Sequence, residues 1–231
     1  VMRRSMPSGE SSKGTGNRIE KNNGKHAAAR NVLGIKVKKM TVITAAIKHG
    51  KVSISADTQL NFGSTQVNAK YLNHSSKLIR VNNSVIGVTG WSATCQVLEH
   101  LAKVHPERFK LNSRWEIFET LLGLHEKFKD DYFIETSEGR NQPVESNQID
   151  GIIVNQYGLF EFGSYREVHQ YEHFWSTGSG RRFALGAMHA MYDSSASAQE
   201  IAEAGAKAAA EFDDSCNLPL NTTVIDLVNT H

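Results

Sequence analysis

The stretch TVITAAIKHGKVSISADT, residues 41–58, decides how the chain folds. Thr41–Lys48 is a β-branched run, and Lys51–Thr58 alternates apolar and polar side chains. His49-Gly50 between them reads as a two-residue turn, so the whole is a β-hairpin. Such a turn fixes the register. Lys48 falls opposite Lys51, Val42 opposite Asp57 and Thr41 opposite Thr58. A carboxylate is therefore expected within one residue of the place where Thr41 begins the strand.

Working outward, the composition changes abruptly at Met40. Residues 1–40 carry ten Lys/Arg against two Glu, whereas the remaining 191 residues carry sixteen basic and twenty-two acidic side chains. The net charge of +2 thus divides into +8 and −6. The first segment, rich in Gly, Ser and Asn, reads as a disordered leader preceding a domain over 41–231. Its charge would suit a nucleic-acid-binding arm; a processed leader, or translated sequence upstream of the true start, suits it better. It lacks the apolar core of a secretory signal.

Downstream, Lys77–Val81 and Ser84–Val88 read as strands, followed by helices at about Ala93–Val104 and Ser113–Tyr132. Strands return at Ile149–Val154, Gly158–Phe162 and about Glu172–Thr177. Helices then follow at about Arg181–Tyr192 and Ala198–Asp213, the second opened by a Ser197/Glu200 capping box. A strand at about Thr222–Leu227 comes last. Clustered strands and clustered helices, rather than alternating βαβ units, predict antiparallel sheets with helix pairs packed outside them. In the last helix Ile201, Ala204, Ala208 and Phe212 mark the expected apolar stripe, with Gly205 beside it for close packing.

Other function classes fall away. With 39% hydrophobic residues the chain is not wholly disordered, and no apolar run is long enough to span a membrane. Two cysteines build neither a disulfide framework nor a four-cysteine zinc site, which fits a reducing, cytoplasmic setting. The ten histidines have no metal-ligand spacing, so no metal or cofactor is expected, and His189 reads as a packing residue. Gly178-Ser179-Gly180 lacks the third glycine of a dinucleotide loop, Phe183 standing there, and GxxxxGK[ST] and GxSxG are both absent.

The hairpin itself offers chemistry. Were Thr41 the first residue, its free amine, its hydroxyl and Asp57 would share one strand end. A terminal amine, of pKa about 7.7–8.0, can take the hydroxyl proton of its own residue. Alternatively, Asp57 merely ends a strand.

The surrounding residues favour the chemical reading, because Met40-Thr41-Val42-Ile43, Ser55–Gln59 and Gly63 resemble the start of proteasome β subunits and the HslV peptidase. In that family an aspartate follows the terminal threonine by sixteen residues, as Asp57 follows Thr41. Its lysine before a short strand is matched by Ser76-Lys77-Leu78-Ile79, displaced by about four residues in the Asn68–Ser75 loop relative to HslV. Thr89-Gly90-Trp91 matches its glycine turn, with Trp91 in place of a second glycine. Gly178-Ser179-Gly180, Phe183–Met188 and Ser197–Ile201 extend the resemblance to about 190 residues. The blocks Asp131–Phe133, Gly186–His189 and Glu211–Leu220 are most similar to the proteasome homologues described from betaproteobacteria.

The resemblance implies an α+β, four-layer αββα sandwich of the N-terminal nucleophile hydrolase fold. It also implies a threonine endopeptidase that works in a homo-oligomeric double ring on unfolded or peptide substrates, with a separate ATP-dependent unfoldase as a further partner. No nucleic acid or membrane partner is implied. Thr41 would be nucleophile and base, Asp57 would hold Lys77, and the Gly90 N–H would face the oxyanion. Ser179 and Asp214 would orient the amine. The family's serine three residues after that aspartate is missing, since Asn217 stands there, and Asp213 is the alternative to Asp214. Asn61 and Ser92 would offer backbone to an extended substrate. Met40 before Thr41 fits initiation there and removal of the methionine rather than self-cutting, for which family precursors carry glycine. An amidase acting on small substrates and a non-catalytic ring subunit are the rival readings.

Overall fold

The computed structural model describes residues 40–137 and 142–228. All of the basic leader except Met40 lies outside the described residues.

Strands β1 (Val42–Lys48) and β2 (Lys51–Asp57) form the expected hairpin, with Lys48 opposite Lys51 and Ile43 opposite Ala56. The register read from the turn is the observed one. Strand β10 (Phe174–Gly178) flanks β1 and β11 (Leu220–Asp226) flanks β2, giving a four-stranded antiparallel sheet in the order β10-β1-β2-β11. The second sheet has five antiparallel strands in chain order: β5 (Leu78–Val81), β6 (Ser84–Gly90), β7 (Ile149–Asn155), β8 (Gly158–Phe162) and β9 (Val168–Tyr171). A small ribbon, β3 (Leu60–Phe62) with β4 (Thr65–Val67), follows the hairpin.

Three buried layers join these elements into the αββα sandwich. Ile43, Ala45, Val52 and Ile54 of the first sheet meet Val85, Ile152, Val154 and Leu159 of the second. Outside the second sheet, helices α1 (Ser92–Val104) and α2 (Arg114–Asp130) bury Leu98, Leu101, Ile117 and Leu124 against Ile79, Ile149 and Phe160. Helices α3 (Arg181–Tyr192) and α4 (Ala198–Phe212) cover the other face of the first sheet through Ala184, Met188, Ile201 and Ala206. Because β1 is buried on both faces, successive side chains serve different layers: Val42 and Ala46 face the helices while Ile43 and Ala45 face the other sheet. That explains a continuous apolar run in an antiparallel strand. At Gly87 the sheets approach closely, since a Cβ there would lie 2.5 Å from Ile43 Cγ2.

Some expectations need correction. The buried face of α4 is Ala198, Ile201, Ala202, Gly205, Ala206 and Ala209, rotated from the stripe read through Ala204, Ala208 and Phe212. Small side chains let α4 approach β1 closely, and a Cβ on Gly205 would stand 2.6 Å from Met188 Cγ. Phe212 points outward and rests on the Phe183 ring, 5.6 Å between centroids. His189 is likewise exposed rather than packed in the core.

Candidate active site

Asp57 is the centre of the site and is fully buried. Its position at the end of β2 beside the start of β1 follows from the hairpin register. Oδ1 accepts hydrogen bonds from Val42 N at 3.0 Å, Thr41 Oγ1 at 2.9 Å and Lys77 Nζ at 2.7 Å. Oδ2 accepts from Gln59 N at 3.0 Å and Asn217 N at 3.4 Å. Three backbone amides, those of Val42, Gln59 and Asn217, thus hold the carboxylate apart from the Thr41 and Lys77 side chains. Lys77, immediately before β5, brings its ammonium across from the other sheet and also donates to Thr41 Oγ1. The charge pair is shielded, with side-chain exposure of 18% for Lys77 and 0% for Asp57. In such surroundings charge–charge interactions are stronger than in water.

Thr41 is enclosed from the opposite side by the segment that joins β10 to α3. Ser179 Oγ lies 3.3 Å from both the nitrogen and the carbonyl oxygen of Thr41. Gly178, at φ +98°, passes so near that a Cβ there would be 2.2 Å from the Thr41 oxygen. Of the two aspartates left open by the sequence, Asp214 and its alternative Asp213, the Ser179 hydroxyl donates to Asp213 Oδ1, at 3.1 Å. Asp213 is the C-cap of α4 and so points back along the site. Asp214 is one residue further round the turn, where its carboxylate accepts from Ser215 Oγ and its carbonyl from the Gln59 and Gln66 amides. Counting from Asp213 puts Cys216, not Asn217, three residues on. Its thiol lies 3.7 Å from Asp213 Oδ1 and 3.9 Å from Ser179 Oγ. Burial, then the negative charges of Asp57 and Asp213, push that thiol well above its ordinary pKa, so it stays a neutral S–H.

A cavity of about 200 Å³ opens onto Thr41 and Lys77. Leu60, Ile79, Val88 and Cys95 give it apolar walls, while Gln96, His74 and Glu99 add polar groups. Burial pushes the Cys95 thiol up to about 12 against the opposing charge of Lys77, so this wall is uncharged. Gly90 and Ser92 line the cavity where β6 ends and α1 begins. The unpaired N–H groups and dipole of a helix start favour negative charge there. Asn61 also lines the cavity, on strand β3, one edge of which is paired with β4. In the sequence Thr89 stands out only as part of the Thr89-Gly90-Trp91 turn, with no site role attached. It lines the cavity, and its buried hydroxyl has no hydrogen-bond partner among the described residues.

Two antiparallel sheets packed face to face and covered on both outer sides by helix pairs are the N-terminal nucleophile hydrolase fold. The family model described as "Proteasome subunit" matches residues 31–227, and the chain belongs to that family. The BPH protein of Thiobacillus denitrificans is 33% identical, and its structure superposes with a TM-score of 0.76, covering 81% of this chain and 99% of that one. The same protein in complex with epoxomicin gives 33% identity and a TM-score of 0.74, over 82% and 100% of the two chains. Eukaryotic HslV from Trypanosoma brucei shares the fold at 20% identity, with a TM-score of 0.56 over 80% of this chain and 99% of that chain. No curated protein sequence matches significantly.

Proposed function

We propose that the protein is a threonine endopeptidase subunit of a self-assembled, proteasome-like double ring, with Thr41 as its mature N-terminus and nucleophile. The observation that carries this reading is the Thr41–Asp57–Lys77 cluster, buried at one end of an apolar-walled cavity. Desolvating an Asp–Lys pair is costly and returns little stability over apolar packing, so a scaffold subunit has no need of it.

In the full chain Thr41 N is a peptide amide and cannot act as a base. Once Met40 is removed, the free α-amine accepts the Oγ1 proton as Oγ1 attacks the substrate carbonyl carbon. The Lys77 ammonium, held by Asp57, favours both the neutral amine and the developing alkoxide. The carbonyl oxygen becomes an oxyanion facing the Gly90 N–H at the head of α1. The tetrahedral adduct then collapses, the C–N bond breaks, and the proton held on the α-amine passes to the departing amine. Water next attacks the Thr41 ester, with the amine again taking a proton, to release the acid and restore Oγ1–H. Ser179 and Asp213 orient the amine, and Asn61 and Ser92 flank an extended substrate. The walls of Leu60, Ile79, Val88 and Cys95 suit an apolar side chain at the cleaved residue.

Ring assembly, a cytoplasmic location, recruitment of a separate unfoldase and a leader over residues 1–40 belong to the same proposal. No helix among the described residues is long and apolar enough to cross a membrane. The test is intact mass and N-terminal sequencing of the active particle, alongside peptide hydrolysis by Thr41→Ala. Thr41 as first residue and a dead variant are expected. Full activity with residues 1–40 attached would overturn the mechanism.

A further inference from the structure

A second polar cluster lies behind the oxyanion site, outside the Thr41 network. His125 of α2 presents Nδ1 to Asn147 Oδ1 at 2.5 Å and Nε2 to Glu145 Oε2 at 2.9 Å. Both ring nitrogens are thus engaged, and the imidazole ties α2 to the segment that carries Glu145 and Asn147. Arg166, buried and held at φ +71°, donates from Nη1 to the Glu145 carbonyl at 2.7 Å, with Asn147 Oδ1 at 3.5 Å and His125 Nδ1 at 3.3 Å. Lys129, one turn beyond His125, pairs with the other Glu145 oxygen at 2.7 Å. His125 and Lys129 thus hold the Glu145 carboxylate while Arg166 holds its backbone carbonyl, with the Asn147 side chain beside them. Glu145 and Asn147 belong to a single segment, 145–148.

This segment leads directly to Gly90. Its backbone is pinned by Ser146 N to the Thr136 carbonyl at 2.9 Å and by Asn147 N to the Ser164 carbonyl at 2.7 Å. Gln148 follows at φ +58°, a conformation that non-glycine residues rarely adopt and that its surroundings must impose. In this conformation its carbonyl accepts from Trp91 N at 3.3 Å. The same carbonyl oxygen sits where a Cβ on Gly90 would be, 2.3 Å from that position. The Gln148 carbonyl therefore backs the Gly90-Trp91 turn, and Arg166 and His125 hold Glu145 and Asn147 in the residues just before it.

We propose that Arg166 and His125 are positioning residues for the Gly90 amide, clamping the 145–148 segment so that the Gln148 carbonyl holds the Gly90-Trp91 turn in its oxyanion-binding geometry. The inference rests on the Gly90 role proposed above. It predicts a specific defect: a displaced donor weakens the transition state but leaves the cavity that binds the substrate side chain intact, so kcat should fall while KM holds.

The experiment compares Arg166→Met and Arg166→Lys with the parent protein on a fluorogenic peptide. Amide hydrogen exchange at Trp91 is followed in parallel. Arg166→Met should lower kcat about ten- to hundredfold, with KM within about twofold, since a small misplacement can cost that much. Trp91 exchange should quicken, and Arg166→Lys, which can still donate to the Glu145 carbonyl, should recover part of both. Unchanged kcat and unchanged Trp91 protection in Arg166→Met would overturn the proposal. So would a loss that follows unfolding and is not rescued by lysine. Repeating the exchange measurement in a Thr41→Ala background separates the two readings. If Thr41→Ala retained activity, the nucleophile assignment would fail while faster Trp91 exchange on loss of Arg166 still supported the clamp.

Discussion

Removing the Lys77 ammonium is the most direct perturbation of the site. Lys77→Ala leaves Asp57 fully buried with Val42 N, Gln59 N and Thr41 Oγ1 as close donors but no neutralising charge. Breaking a buried ion pair from one side typically costs 3–5 kcal/mol; the two amide donors and the partial exposure of Lys77 put this case at about 3 kcal/mol. For a domain of this size that lowers the unfolding midpoint by about 6–12 °C. The effect on rate is larger. A unit charge at about 4 Å from a developing alkoxide is worth about 4 kcal/mol at an effective dielectric of 20, or about a thousandfold in kcat/KM. The two effects can be parted with Lys77→Ala/Asp57→Asn, which removes the stranded carboxylate charge and should regain stability without activity. The assays are peptide hydrolysis, thermal unfolding and sedimentation of the assembled protein. Hydrolysis by Lys77→Ala within tenfold of the parent, in an intact particle, would refute the assignment of Lys77.

Gly178→Ala should abolish activity and lower stability, because its Cβ would meet the Thr41 carbonyl oxygen at 2.2 Å with backbone atoms that cannot yield; peptide hydrolysis and thermal melts check this. Peptides with an apolar residue at the scissile position should be cut about ten- to a hundredfold faster than those with lysine or aspartate there, an effect of a few kcal/mol in an apolar cavity. Equal rates across such a panel would exclude the cavity as the side-chain site. Hydrogen bonds from Lys129 and then His125 lower the Glu145 carboxyl to about 2. A depressed folded-state pKa stabilises above the unfolded-state value and is lost as pH falls towards 2. The melting temperature should therefore drop between about pH 5 and 2 in the parent, and less steeply in Glu145→Gln.

The hairpin was legible because a two-residue turn leaves one register and because β1 and β2 carry little but β-branched and small residues. That register alone brought Asp57 to the head of β1. Strand β9, VHQY, escaped detection because only Val168 is buried and His169 and Gln170 face solvent. The three-residue strands β3 and β4 are too short to show a period. In α4 the apolar stripe was read one step round, since alanines on several faces give periodicity little to discriminate. The choice between Asp213 and Asp214 depends on where α4 ends, and a one-residue shift there turns the side chain to a different side. The cluster of His125, Glu145, Asn147 and Arg166 has no motif at all. Its members come from a helix and two loops, and only the folded chain brings them together.

Met40 shares the cavity with Thr41. On the proposed mechanism the unprocessed chain is restrained in two ways, for it lacks a basic nitrogen and its own Met40 adds to the wall that a substrate would meet. Cutting one peptide bond lifts both restraints at once. The moment at which the subunit becomes a peptidase is then set by processing and not by folding, so the sandwich can form and associate before any subunit is able to cut its neighbours.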